Sequence, residues 1–317
     1  MRAETAEPAA AVGAVATGTV AAGAGETAGG APPAGAEAAC PSCGEHLRGD
    51  FCHRCGEKRA EARDLSLRHF VADALQEFTS VEHSKLYRTL RALLVRPGLL
   101  SVEWAAGRRN LYLKPLNLCL IVLALQVFVY STKQVSTYDF GRLVESERQF
   151  ADSQGLKYDS IYERLIRDVM GRRGLSREAV LEAINERWSR NVSFFQIPLI
   201  LTYALLLRLL YLFTRRHFVE HVVFSLHFIS FTALTVVLMW PIYYALGITP
   251  SAVTMTVAFV KLLLDMCYLF FAARAFYRDT IGWALVKAPL MLAAYFVIYV
   301  MTYIAALLAS VVAVSRG

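Results

Sequence analysis

Charge is scarce in this chain: only 19% of its 317 residues are Asp, Glu, Lys or Arg, while 56% are hydrophobic. Soluble domains carry about a quarter charged residues, so an ordinary water-soluble globule is disfavoured. There are six cysteines. Four fall in one short stretch, and Cys119 and Cys267 stand alone in apolar runs, which excludes a disulfide framework. Seven histidines are too few for a membrane di-metal oxidase. No GxSxG, Walker loop, HExxH or strand-borne GxGxxG occurs, so the common hydrolase, nucleotide-binding and metalloprotease signatures are missing. The Ala/Gly-rich start, residues 1–39, lacks the charged n-region and compact Leu-rich core of a signal peptide. Arg2 is offset by Glu4 and Glu7, and glycines and Glu26 break up the rest. Ala and Gly bury too little surface to offset chain entropy, which predicts a disordered leader.

What the chain does have is apolar runs of membrane-crossing length, about 20 residues. They predict an all-α integral membrane bundle of about five spans: 116–130 (extended back to 111), 194–213, 222–246, 251–271 and 288–312. The membrane domain then covers 111–312. A polar insert at about 132–192 separates the first two spans. It carries two expected helices, one opened by Ser160 and Glu163 as a capping box and ending at Gly171, the other starting near Ser176. Residues 64–110 form a juxtamembrane region. In it Leu86, Leu90, Leu93 and Leu94 recur at helical spacing with Arg88 and Arg91 elsewhere on the helix. Such a basic amphipathic helix suits a cytoplasmic leaflet; simple packing on the membrane domain is the other reading. Pro97-Gly98 ends this helix, and Ser101 can cap the short turn that follows.

Basic residues set orientation. Arg96, Arg108, Arg109 and Lys114 precede the first span, Arg215 and Arg216 join the second to the third, and Arg274, Arg278 and Lys287 join the fourth to the fifth. The link 247–250 carries no charge. This alternation places the N-terminus in the cytoplasm and both the insert and the C-terminus outside. Trp240, Tyr243 and Tyr244 fit an outer aromatic belt, Trp104 and Tyr112 an inner one. Arg88, Arg91, Arg96, Arg108 and Arg109 are the candidate membrane-surface basic set.

The stretch 40–58 holds two CxxCG pairs, Cys40-x-x-Cys43-Gly44 and Cys52-x-x-Cys55-Gly56. Four thiolates suit a tetrahedral Zn²⁺, and a closed four-Cys site is structural because no position is open for chemistry. The glycines fit turns that need positive φ. His46 and His53 are then bystanders. Phe51, the stretch's one aromatic residue, is expected to pack on the zinc turn. Arg48, Arg54, Lys58 and Arg59 stand against Glu45, Asp50 and Glu57, a near-neutral balance that argues against nucleic acid. Thiolate sites persist best in a reducing compartment, which also places this stretch in the cytoplasm.

Ionisable groups within spans are costly unless paired or wet. Lys261 and Asp265, four apart, share a helical face. They admit two readings: a relay or substrate contact, or an internal ion pair that lets the helix insert. Glu220, His221 and His227, with His217, form a second polar set. His217 and His221 are one turn apart, whereas Glu220 and His227 lie about 10 Å apart by helical rise, too far for one metal without help from other helices. Arg208 can snorkel at the inner end of its span.

Three stretches together resemble one bacterial family of multi-pass membrane proteins catalogued only as a domain of unknown function. They are the CxxCG…CxxCG ribbon; "LLVRPGLLSVEWAAGRRNLYLKP", with Arg96-Pro97-Gly98, Glu103, Gly107-Arg108-Arg109, Tyr112 and Pro115; and "FVEHVVFSLHFISF", with Glu220, His221, Phe224, His227 and Phe228. The resemblance implies an inner-membrane protein with a cytoplasmic ribbon and no specified activity. The expected function is docking, assembly or regulation, through the lipid bilayer and other membrane or cytoplasmic proteins, or a second copy. The alternative is a transporter or membrane enzyme using Lys261, Asp265, Glu220 and His227. That alternative requires Lys261 and Asp265 to face a polar cavity with Glu220 or His227 nearby.

Overall fold

The computed structural model describes residues 39–59, 65–76, 83–132, 140–155, 160–245 and 252–316. Side chains of 73–76, 83, 130–132, 161, 189–195, 240, 243–244 and 252–255 lie outside the description. The expected leader, the link 247–250 and the outer-belt side chains of Trp240, Tyr243 and Tyr244 therefore fall outside it, the leader but for Ala39.

Ten α-helices follow one another among the described residues: α1 (Leu67–Gln76), α2 (His83–Val95), α3 (Leu99–Ala105), α4 (Pro115–Thr132), α5 (Phe140–Ser153), α6 (Ile161–Arg173), α7 (Arg177–Leu210), α8 (Phe218–Ala245), α9 (Ala252–Tyr277) and α10 (Ile281–Arg316). Two isolated β-bridges in the cysteine stretch accompany them, with no strand among the described residues. Three segments are long and apolar enough to cross a membrane: Phe218–Met239, Thr256–Tyr277 and Ile281–Arg316. They support a membrane protein. The expected first and second spans are represented by shorter apolar stretches, Pro115–Val129 and Gln196–Leu210, each bordering residues whose side chains are not described.

α8 is the hub. Every residue from 219 to 231 is buried, as expected for a helix apolar nearly all round, and α3, α4, α7 and α9 pack on it while α10 packs on α7 and α9. The outward faces of α9 and α10 leave Phe259, Leu262, Phe271, Phe296, Val297 and Met301 exposed. So much contiguous apolar surface suits lipid rather than water. Inside lipid the hydrophobic effect cannot hold helices together, so close backbone approach through small residues does the work. Ala272, Ala273, Ala284, Ala288 and Ala306 are accordingly fully buried.

One close approach is at Gly98. After Val95 ends α2, the Arg96-Pro97-Gly98 turn brings Gly98 to φ 82°, where it stands as the N-cap of α3. A Cβ there would lie 2.9 Å from Ala272 Cα and 3.0 Å from Ala275 Cβ. Only glycine fits both the dihedral and the space. Ser101, expected to cap this turn, lies instead inside α3. The single helical stretch expected over 64–95 comprises α1 and α2, with 77–82 outside the description.

The insert differs from expectation in three ways. It holds an additional helix, α5. Its second expected helix and the second span form one continuous α7 of 34 residues, about 51 Å long by helical rise. And α6 runs through Gly171 to end at Gly174, which takes φ 66°. Ser160 does cap α6, accepting from the Tyr162 N–H, but Glu163 does not reach back to complete a capping box. It pairs with Arg177 at 2.7 and 2.8 Å, fastening α6 to the first turn of α7. The insert core joins Phe140, Val144, Ile166, Val180, Ile184 and Trp188 to Ala306, Leu307, Val311 and Val314 of α10. α10 outruns the expected span 288–312 because its far end is part of this core.

Two predictions follow from this packing. Gly98→Ala combines left-handed strain with a clash against α9 backbone, at a cost of about 2–4 kcal/mol. It should lower the thermal midpoint of the detergent-solubilised protein well below that of Gly282→Ala, a position with open space around it. Second, Arg177 beside Glu163 holds the Glu163 carboxyl below its usual 4.5. A depressed carboxylate stabilises above its unfolded pKa, and that stability is lost as pH falls through the folded one. Acid unfolding of the insert below about pH 4.5, followed by tryptophan fluorescence, should carry this contribution in wild type and lose it in Glu163→Gln.

Candidate functional site

The cysteine stretch is one geometry used twice. The Cys40 N–H donates to Glu45 O at 2.8 Å and the Gly44 N–H to Cys40 O at 2.9 Å; Cys52 and Gly56 repeat this with Glu57 O and Cys52 O, both at 2.8 Å. Gly44 and Gly56 take φ 76° and 71°. The turns set Cys40 Sγ 3.5 Å from Cys55 Sγ and Cys43 Sγ 3.5 Å from Cys52 Sγ, and all four sulfurs lie within 4.8 Å of one another. Four sulfurs about 2.3 Å from a tetrahedral metal stand about 3.8 Å apart, so this set could hold a metal ion. Within the set the thiols share their protons unevenly: the Cys55 backbone N–H, first among several hydrogen bonds, draws the Cys52 thiol down, while the Cys43 and Cys55 thiols are pushed up.

One face of this module is already engaged. Glu57, only 2% exposed, accepts from Ser42 Oγ at 2.6 Å, Arg109 N at 3.2 Å and Asn110 N at 3.1 Å. Asn110 Nδ2 returns a bond to Cys55 O at 2.8 Å. The module is thus seated on the loop that leads into α4. Phe51 does not pack on the turn as expected; it is 63% exposed.

Beyond that loop, the second and third resembling stretches meet. Ser101 of α3 and His227 of α8, 126 positions apart, are buried together with Oγ and Nδ1 at 2.8 Å. His227, Leu100, Trp104, Arg108, Arg109, Tyr112, Leu113 and Pro115 line a small cleft with room for about one water molecule. Arg108 is held by both oxygens of Glu103. The Arg109 guanidinium lies 4.4 Å over the Trp104 ring. Trp104 is buried and meets Phe70 edge-on at 5.8 Å, so it belongs to the core and not to a lipid-facing inner belt. The five residues grouped as a membrane-surface basic set therefore divide: Arg88, Arg91 and Arg96 are exposed, whereas Arg108 and Arg109 border the cleft.

The intramembrane candidates each have their own partner. Lys261 and Asp265 form an ion pair with side chains 12% and 9% exposed, and Thr232 of α8 donates to Asp265 at 3.1 Å. Glu220 accepts from Arg216 at 3.1 Å and from the His217 N–H at 2.8 Å. His221 Nδ1 meets Tyr277 Oη at 2.8 Å. Glu220 and Thr232 are twelve positions apart on α8, about 18 Å by helical rise, so Glu220 does not share a cavity with the ion pair. Among the described residues the four cysteines are the one His/Cys/Asp/Glu group with metal-ligand spacing.

A further network joins the helix ends. Arg208 donates to Arg216 O, Arg216 to Phe276 O at 2.7 Å, Tyr211 to Asp279 at 2.5 Å and Lys287 to Asp279 at 2.8 Å. Tyr211 stacks on Tyr277 with centroids 3.6 Å apart. Sequence reasoning passed over Glu57, Ser101 as a partner, Thr232, Tyr211, Tyr277 and Asp279. Each works through a partner on another element, and no local spacing reports that.

Ser101→Ala would leave a buried imidazole nitrogen unpaired, at about 1–3 kcal/mol. It should lower the thermal midpoint more than Ser225→Ala, whose hydroxyl bonds only its own helix at His221 O. Equal effects would show that the α3–α8 bond ties nothing together.

Residues 83–127 match the model of a family described as a protein of unknown function, DUF3667. The match covers the second of the three resembling stretches and α2 through most of α4; the cysteine module and α8 lie outside it. No curated protein matches the chain, and no solved structure does. The findings thus join a segment of an uncharacterised family to a membrane protein of unspecified activity with a four-Cys cluster.

Proposed function

We propose that this is a five-span inner-membrane protein whose cytoplasmic four-Cys ribbon holds a structural Zn²⁺ and serves docking or assembly rather than catalysis. One observation carries the reading: the buried Glu57 carboxylate bonds the Arg109 and Asn110 amides, so a metal-held module is built onto the entrance of the first span. The module's buried apolar cluster is Cys40, Leu47 and Cys52. Burying Leu47 is worth about 2 kcal/mol, whereas fixing each residue's backbone costs about 1–2 kcal/mol. Such a core cannot order the module, and a structural Zn²⁺, worth about 10–16 kcal/mol in small zinc modules, can.

On this reading the chain divides into a leader (1–39), the ribbon (40–58), juxtamembrane helices (64–110) and a five-span domain (111–312) whose insert lies outside. Orientation is supported by the basic residues. Gly98 seats next to Arg96 against the end of α9, and Arg216 and Lys287 meet Phe276 and Asp279 at that same end, which suits the cytoplasmic side. The partners are the bilayer and other membrane or cytoplasmic proteins, a second copy included. Lys261 pairs with Asp265 beside Thr232, which stands about 18 Å along α8 from Glu220; this supports an internal ion pair over a relay shared with Glu220.

Elemental analysis of protein purified from membranes should find about one zinc per chain. The double variant Cys40→Ser/Cys52→Ser should carry none, still insert, and lose co-purifying partners. Zinc-free wild type, or unaltered partner recovery in the double variant, would sink the proposal.

A further inference from the structure

α2 presents two faces of opposite character. Thr89, Ala92 and Leu93 are buried, Ala92 and Leu93 in the cluster shared with α3, α8 and α9, and Thr89 accepts the Leu113 N–H at 3.0 Å. This face is used up by packing. At about 100° per residue the exposed side chains of Tyr87, Arg88, Arg91, Leu94 and Val95 fall within an arc of about 120° on the opposite side. Tyr87 and Val95 are 69% and 68% exposed. The helix HSKLYRTLRALLV has no acidic residue, and Arg96 extends the positive charge just beyond its end. Arg88 reaches Leu111 O at 3.4 Å and is still exposed.

Position says what this face meets. Its C-terminal end runs straight into Gly98, which lies against Ala272 and Ala275. Ala272 is five positions before the end of α9 at Tyr277, about 7.5 Å by helical rise. The headgroup layer on each side of a bilayer is about 5–7.5 Å deep. α2 is therefore fastened at the level where a span leaves the hydrocarbon core. A face that mixes an aromatic residue, aliphatic side chains and arginines without acids is what that layer accommodates.

We propose that the outward face of α2 is a binding site for anionic phospholipid headgroups of the leaflet in which the spans end, with Arg88, Arg91 and Arg96 taking the phosphates and Tyr87, Leu94 and Val95 entering the acyl boundary. The proposal rests on the membrane-spanning reading above. Each arginine near an anionic surface is worth about a five-fold change in local binding, so the set makes contact lipid-dependent and salt-sensitive.

Hydroxyl-radical footprinting of the full chain in nanodiscs tests it. In phosphatidylglycerol discs, modification of Tyr87 should fall several-fold relative to phosphatidylcholine discs. The difference should vanish in Arg88→Gln/Arg91→Gln and in high salt. Phe51, exposed on the cysteine module, should stay reactive throughout. Phe259 and Phe296, exposed on α9 and α10, should be protected in both lipids if those helices span. Equal Tyr87 reactivity in the two lipids, with Phe259 and Phe296 protected, would overturn the lipid site and leave the spans standing. A lipid difference that survives the double variant would overturn it as well. Reactive Phe259 and Phe296 in both discs would overturn the spanning reading itself.

Discussion

Burying α8 in the middle of an apolar bundle imposes the constraint on which the rest depends: each polar group it carries must find a partner where water does not reach. Ser225, Ser230 and Thr235 solve this locally, by donating to the carbonyls of His221, Leu226 and Phe231. The groups that cannot do so reach other elements. His227 takes Ser101 of α3, His221 takes Tyr277 at the end of α9, and Thr232 takes Asp265 within α9. These bonds stand at successive heights along one helix, so they set both the depth and the rotation of α3 and α9 about α8. His221 Nε2 is the exception on this helix, buried without a hydrogen bond among the described residues.

The same economy governs the end that carries the cysteine module. Glu57 would be an expensive buried charge were it alone, yet three donors converge on it. That convergence makes the cysteine module a continuation of the loop 107–110 rather than a tethered appendage. Arg108 and Arg109 in that loop face Glu103 and Trp104, and the loop closes the cleft over His227. Module, loop, cleft and central helix form one mechanical path, each link a named hydrogen bond or ring contact.

Much of this was legible in residue order because it depends on local pattern. CxxCG repeated at a short interval brought four sulfurs together, since each glycine permits the turn that points two thiols the same way. Arg96-Pro97-Gly98 ended one helix and Ser160 opened another. The insert was read less well. Ser160 and Glu163 look like a capping box, but Arg177 competes for the carboxylate and wins with a bidentate pair. A break between insert and span was expected where polar sequence turns apolar. α7 runs straight through, because a change from polar to apolar sequence does not by itself end a helix.

By itself, then, the sequence determined the helical class, the four-cysteine cluster, the basic character of one end and the places where turns must occur. These follow from hydrophobic length, ligand spacing and dihedral preference, all properties of neighbouring residues. Tertiary structure alone decided which polar groups share a partner. Glu57 became a latch, Ser101 and His227 a pair across 126 positions, and Lys261 and Asp265 a pair held by Thr232 instead of a site with Glu220. It also decided that Gly98 matters for Ala272 as much as for its own φ. Buried polar groups and close backbone contacts are satisfied through space, and no period in the chain encodes the distant residue that satisfies them.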